Sequence, residues 1–287
     1  MDLHDAAKAG DQAEVQRLLA AGASIDARSS SGMTSLHHAC SNGHHKIVVL
    51  LLSGGAEIDA TNNVGWTPLH FASYHGRSKV VVELLSRGAK IDARDGADAT
   101  PLHFASFRGH PKVVIKLLSG GASIDARNNT GWTPLHDACY DDHLEVVLEL
   151  LSGGAELDTR DNTGSTPLHD ACCNGSLEVV LELINRAVKI DARDNDGDTP
   201  LHWASNGGHP EVVVELLERG AEINPRNSAG WIPLHNACSR GHPETAAELI
   251  LAGASRNAKN GEGKTPAELT DDPNIHALFV PVVKAAH

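Results

Sequence analysis

The tetrapeptide Thr-Pro-Leu-His recurs every 33 residues, at Thr67 to His70, Thr100 to His103, Thr133 to His136, Thr166 to His169 and Thr199 to His202. Variants keep the register: Thr34-Ser35-Leu36-His37, Ile232-Pro233-Leu234-His235, Thr265-Pro266-Ala267-Glu268 and a leading Leu3-His4. A fixed period of this length marks an array in which each unit is too small to bury its own apolar face and must stack on its neighbours.

The repeat itself reads as helix, turn, helix and loop. Thr is an N-cap residue and Pro suits the first helical position, where its missing N–H costs nothing. Leu and the small residue three positions on, as in Leu69 and Ala72, then point inward, and Gly76 or Gly109 reverses the chain. A second helix carries paired apolar residues such as Val113, Val114, Leu117 and Leu118, a one-sided stripe. Gly22, Gly55, Gly88, Gly121, Gly154, Gly220 and Gly253 recur where a left-handed residue closes that helix. The Ile-Asp-Ala-Arg stretch and the Asn-Gly or Asp-Gly tract after it are expected to form an extended hairpin.

On these motifs the chain resembles the ankyrin-repeat family over essentially its whole length. The resemblance implies an all-α repeat fold, a solenoid of helix-turn-helix units with β-hairpin loops. It divides the chain into an N-terminal cap at 1–33, seven internal repeats at 34–264, a C-terminal cap at 265–279 and a flexible tail at 280–287. It also implies that the Thr-Pro-Leu-His imidazole bonds the backbone and ties adjacent repeats together.

Composition bounds the function. With 41% apolar and 21% charged residues the chain is globular, and no apolar run approaches the roughly 18 residues of a membrane helix. A formal charge of −13 disfavours nucleic acid and anionic lipid surfaces, both of which need Lys and Arg. Residues 1–10 lack a secretory pattern, and five cysteines show no disulfide spacing. The expectation is a monomer with reduced thiols in the cytoplasm or nucleus.

Eighteen histidines invite a metal reading, because His37/Cys40, His136/Cys139, His169/Cys172 and His235/Cys238 sit three apart on helices. The cysteines share their slot with Ser73, Ser106 and Ser205, however, so the position calls for a small side chain and no metal is expected. Catalysis and a cofactor are not expected either: Cys172, Cys173, His169 and Asp170 fall on one helix, and no phosphate loop or hydrolase motif occurs.

Aromatic residues are few but concentrated. Trp66, Trp132 and Trp231 precede the first helix of their repeats, and Phe71, Tyr74, Phe104, Phe107, Tyr140 and Trp203 follow the His. In the ankyrin family the hairpin tips and inner helices form the concave side that engages partners, and Trp, Tyr and Arg commonly dominate binding energy. Together with Arg108 and the acids Asp137, Asp141 and Asp170, taken as outward-facing, these residues form the candidate site. Carboxylates beside rings suit a protein or peptide with a basic, Arg-containing segment. The rival readings are an enzyme or small-molecule site in the same groove, and a purely structural spacer. Three departures mark unusual places: Asp142 at the turn glycine, Ala187 at the helix-ending glycine, and Ile232 at the N-cap, where losing Thr is expected to cost about 1 kcal/mol.

Overall fold

The computed structural model describes residues 1–280. The expected tail at 280–287 lies outside the described residues except for Val280. Among the described residues the chain is all-helical, and it divides into two compact units: Met1–Ala138 with Glu145–Glu156, and Cys139–Leu144 with the residues from Leu157 onward.

The first unit holds the helix pairs α1 (Leu3–Ala9) and α2 (Gln12–Ala20), α3 (Ser35–Asn42) and α4 (His45–Ser53), α5 (Pro68–Tyr74) and α6 (Ser78–Ser86), and α7 (Pro101–Phe107) and α8 (Pro111–Ser119). First helices pack in the order α1, α3, α5, α7, and second helices in the order α2, α4, α6, α8. Helix α9 (Pro134–Tyr140) has residues in both units, and α10 (Leu144–Ser152) belongs almost wholly to the first. The second unit repeats the scheme with α11 (Pro167–Asn174) and α12 (Leu177–Asn185), α13 (Pro200–Gly207) and α14 (Pro210–Glu218), and α15 (Pro233–Arg240) and α16 (Pro243–Leu251). It ends in a 3-10 turn, Pro266–Leu269, and α17 (Pro273–Phe279). The core is built from the predicted stripe, with Leu36, Leu69, Val80, Leu102, Val113, Leu183 and Leu216 all excluded from water.

Junctions between repeats are held by side chains that reach into the next repeat's backbone. In His37, His70, His103, His169, His202 and His235, Nε2–H donates to a carbonyl 29 residues on, at 3.1–3.2 Å. Nδ1 of each accepts the N–H of its own N-cap residue at 3.0–3.1 Å, which settles the neutral tautomer. The structure thus bears out the role implied for this histidine and adds three staples that sequence reasoning did not assign. His44, His110, His209 and His242 donate Nε2–H back to the preceding repeat's carbonyl at 2.9–3.1 Å. Asp26, Asp59, Asp92, Asp125, Asp158 and Asp191 accept a backbone N–H 31 residues on at 3.0–3.2 Å. Arg94, Arg193 and Arg226 donate to a carbonyl 33 residues on at 2.7 Å. Much of the acidic charge is therefore structural.

The expected hairpins are chain reversals without strands among the described residues. Each closes with two backbone bonds, such as Asn62 N–H to the Trp66 carbonyl at 3.0 Å and Gly65 N–H to the Asn62 carbonyl at 3.1 Å, and meets the next loop through one more, such as Gly96 N–H to the Val64 carbonyl at 3.0 Å. An Asx side chain does the rest: Asp95 Oδ1 accepts the N–H groups of Ala97 and Ala99 at 2.8 and 2.9 Å. A single bond between neighbouring loops does not make a ladder.

The three departures resolve differently. Asp142 and Ala187 keep the left-handed φ of the glycines they replace, 57° and 61°, and Asp98 at 59° is a further case that sequence reasoning missed. Asp tolerates this region and Ala does not. Ile232 is fully buried and its N–H still donates to His235 Nδ1, at 3.1 Å. The Thr hydroxyls elsewhere lie 2.8–3.0 Å from the imidazole, and the Thr67 oxygen also comes within 3.4 Å of the His70 N–H. What Ile232 forgoes is a hydroxyl bond to histidine together with the cap that the sequence suggests, offset by apolar burial.

Ala187→Gly is expected to raise stability by about 0.5–1 kcal/mol, because the 1–2 kcal/mol of left-handed strain exceeds the entropy cost of glycine. Urea midpoints of the parent and variant check it; an unchanged or lower midpoint would show that Ala187 carries no strain.

Candidate functional site

Two slots on the first helix vary from repeat to repeat while the capping and stapling residues around them recur. Directly after the stapling His the slot holds His38, Phe71, Phe104, Asp137, Asp170, Trp203 and Asn236. Three positions later stand Ser41, Tyr74, Phe107, Tyr140, Cys173, Asn206 and Ser239. Both slots lie on the first helix, and with the loop residues before it they form one face of each unit.

In the first unit the rings interlock. Trp66 lies 5.0 Å from Phe71, 5.4 Å from Tyr74 and 4.4 Å from Phe104, centroid to centroid, and Tyr74 lies 6.1 Å from Phe104. The Trp66 indole N–H donates to Asp95 Oδ2 at 3.0 Å, which orients the ring. Phe71 and Phe104 also pack edge-on against the stapling imidazoles of His37 and His70, at 5.5 and 5.4 Å, so they serve the junction as well as the surface. The Arg108 guanidinium sits 4.9 Å above the Tyr74 ring, a cation–π contact. Phe107 is 40% exposed, unusual for a large apolar ring. Trp132 stacks 6.2 Å from His136.

The expectation that the acids face outward is corrected. Asp170 is 2% and Asp137 8% exposed, while Asp141 is half-buried and Tyr140 exposed. Asp137 and Asp170 are covered although Phe71, Phe104 and Trp203 in the same slot are half-buried, and helical spacing alone does not tell covered from open.

In the second unit, Trp203 and Trp231 form a separate centre. Trp203 donates its indole N–H to Asp194 Oδ2 at 2.9 Å and packs 5.9 Å from His169; Trp231 lies 5.9 Å from His235. Both line an open recess of about 430 Å³ with Asp198, Asn206, Asn227, Asn236 and Arg240 among its other walls. Sequence reasoning found the two indoles but none of these polar partners. The signal was present in the two variable slots, which include Asn206 and Asn236.

Four of the five cysteines are covered and Cys173 is half-buried. Cys40, Cys139, Cys172 and Cys238 are fully buried and burial pushes every thiol up, Cys238 to about 12. The stapling imidazoles have both nitrogens committed, so their lone pairs are not offered to a metal.

Comparison with protein families matches "Ankyrin repeats (3 copies)" over residues 3–95, 94–161 and 154–227, and "Ankyrin repeat" over residues 229–261. The chain belongs to the ankyrin-repeat family. Ankyrin repeats are generally protein-interaction modules and typically non-catalytic, which agrees with a framework whose nucleophiles are buried and whose variable positions share one face. No curated protein matches this ankyrin-repeat chain. Among the described residues, no helix is long and apolar enough to cross a membrane.

Proposed function

We propose that the chain is a non-catalytic scaffold that binds another protein or peptide on the face carrying its first helices and loop tips. The observation that carries this reading is the cluster of Trp66, Phe71, Tyr74 and Phe104, bordered by Phe107 and Arg108. These are large, partly exposed rings at positions where several other repeats hold small or polar residues, such as Ala99, Asn236 and Ser41. Rings of this kind supply contact area at low entropic cost and dominate interfaces. The net charge of −13 favours a basic partner through the long-range field, although the buried Asp137 and Asp170 contribute less at contact than exposed acids do. On the same reading the segments 1–33 and 265–279 act as polar caps on the array.

Affinity capture followed by titration of the captured partner tests this. Phe107→Ala and Tyr74→Ala are expected to weaken binding by about 1–3 kcal/mol each while the helical circular dichroism stays unchanged. Parent-like affinity in both variants would remove the aromatic cluster as the contact.

A further inference from the structure

The Trp203–Trp231 recess is lined by an unusual balance of polar groups. Several of its donors are already used: the Trp203 indole N–H goes to Asp194 at 2.9 Å, Asn227 Nδ2 to Asp198 Oδ1 at 2.8 Å, and Arg240 Nε to Asn206 Oδ1 at 2.8 Å. His202 Nε2–H goes to the Trp231 carbonyl at 3.1 Å, and Asn227 Oδ1 is itself filled by the N–H groups of Ala229 and Trp231. Two acceptors remain. The Asn236 amide oxygen is buried with no hydrogen-bond partner, and the second carboxylate oxygen of Asp198 receives no donor. Burial pushes the Asp198 carboxyl above the usual carboxylate range, and His202 Nε2, 3.8 Å from Oδ1, belongs to a neutral imidazole committed to the Trp231 carbonyl.

We infer that this recess receives an arginine side chain of the protein partner, its guanidinium lying against the indoles of Trp203 and Trp231 and donating to Asp198 and Asn236. A guanidinium is planar, weakly hydrated and rich in donors, so it stacks on an indole while filling both acceptors. A lysine ammonium matches the charge but not the flat shape, an apolar ring leaves both acceptors empty, and an anion faces the Asp198 carboxylate. A volume of about 430 Å³ lies at the small end for ligand sites and suits one side chain. Arg240 is the one opposing feature. It is exposed, its Nε is held by Asn206, and its charge is largely damped by water. The inference rests on the protein-binding reading, but its test needs no partner.

The probe is N-acetyl-arginine N-methylamide, titrated into the full chain while the indole N–H signals are followed by nitrogen-15 NMR. The Trp203 and Trp231 signals are expected to move with a dissociation constant of about 1 mM, and those of Trp66 and Trp132 to stay. The neutral citrulline analogue should bind at least about tenfold more weakly, as should the probe to Asp198→Asn or Asn236→Leu, since each lost charge-assisted bond is worth that much. Asp198→Asn retains an oxygen for Asn227, and circular dichroism reports whether each variant folds. Arg240→Gln should bind the probe as tightly or tighter. Absent shifts, equal binding of citrulline, or an unchanged affinity in both folded variants would overturn the assignment. Weaker probe binding in Arg240→Gln would also overturn it, because removing a like charge cannot weaken the attraction of a guanidinium to Asp198. Loss of partner binding in Phe107→Ala with arginine binding intact would separate this recess from the aromatic cluster.

Discussion

Acidification from pH 7 to 4 is expected to unfold the repeats, with a midpoint near about pH 5 set by histidine and not by carboxylates. Each stapling imidazole accepts an N–H at Nδ1, so a proton there faces a donor. Burial pulls His37, His103 and His202 down to about 4, and lowers His70, His169 and His235 as well. In the unfolded chain the same residues titrate near 6.5, so the unfolded state takes up protons first. The stabilisation is complete above that value and is lost as the pH falls towards 4. A difference of about 2.5 pKa units corresponds to roughly 3 kcal/mol for each of the three strongest cases. Their sum approaches the whole stability of an ordinary domain. Urea midpoints at pH 8, 6, 5 and 4 measure it. A flat profile between pH 7 and 5 would show that the staples tolerate protonation.

Leu84→Ala is expected to cost about 3 kcal/mol and to broaden the unfolding transition. Leu84 is fully buried on α6, which packs against α4, α5 and α8, so one cavity weakens a repeat and both of its junctions. Val82, 46% exposed on the same helix, is the control: Val82→Ala should change stability by less than about 0.5 kcal/mol. Denaturant curves distinguish the two, and equal effects would mean that α6 is not coupled to its neighbours through this face. Binding by the aromatic cluster on the first helices should survive in the folded fraction of both variants.

The period alone carried the helices, their caps and the turn glycines, because these depend on residues within a few positions of one another. Thr-Pro-Leu-His starts α5 and α7, Val-Val and Leu-Leu pairs fill the core, and Asp142 and Ala187 keep the left-handed backbone that their slots demand. The family resemblance carried by the aligned histidines already implied a staple, although its carbonyl partner lies 29 residues away. Trp66, Phe71, Tyr74 and Phe104 were recognisable as a candidate surface, yet their mutual packing at 4.4–6.1 Å and the Asp95 anchor arise only when two repeats stack. Stacking also decided that Asp137 and Asp170 are covered while Phe107 is open, that one aspartate per junction binds the next backbone, and that the loops stop short of strands. It brought Asp198, Asn236 and Arg240 around two indoles. Local sequence specifies which way a residue points from its own helix; what it then meets lies about one repeat away, and that is a property of the stack.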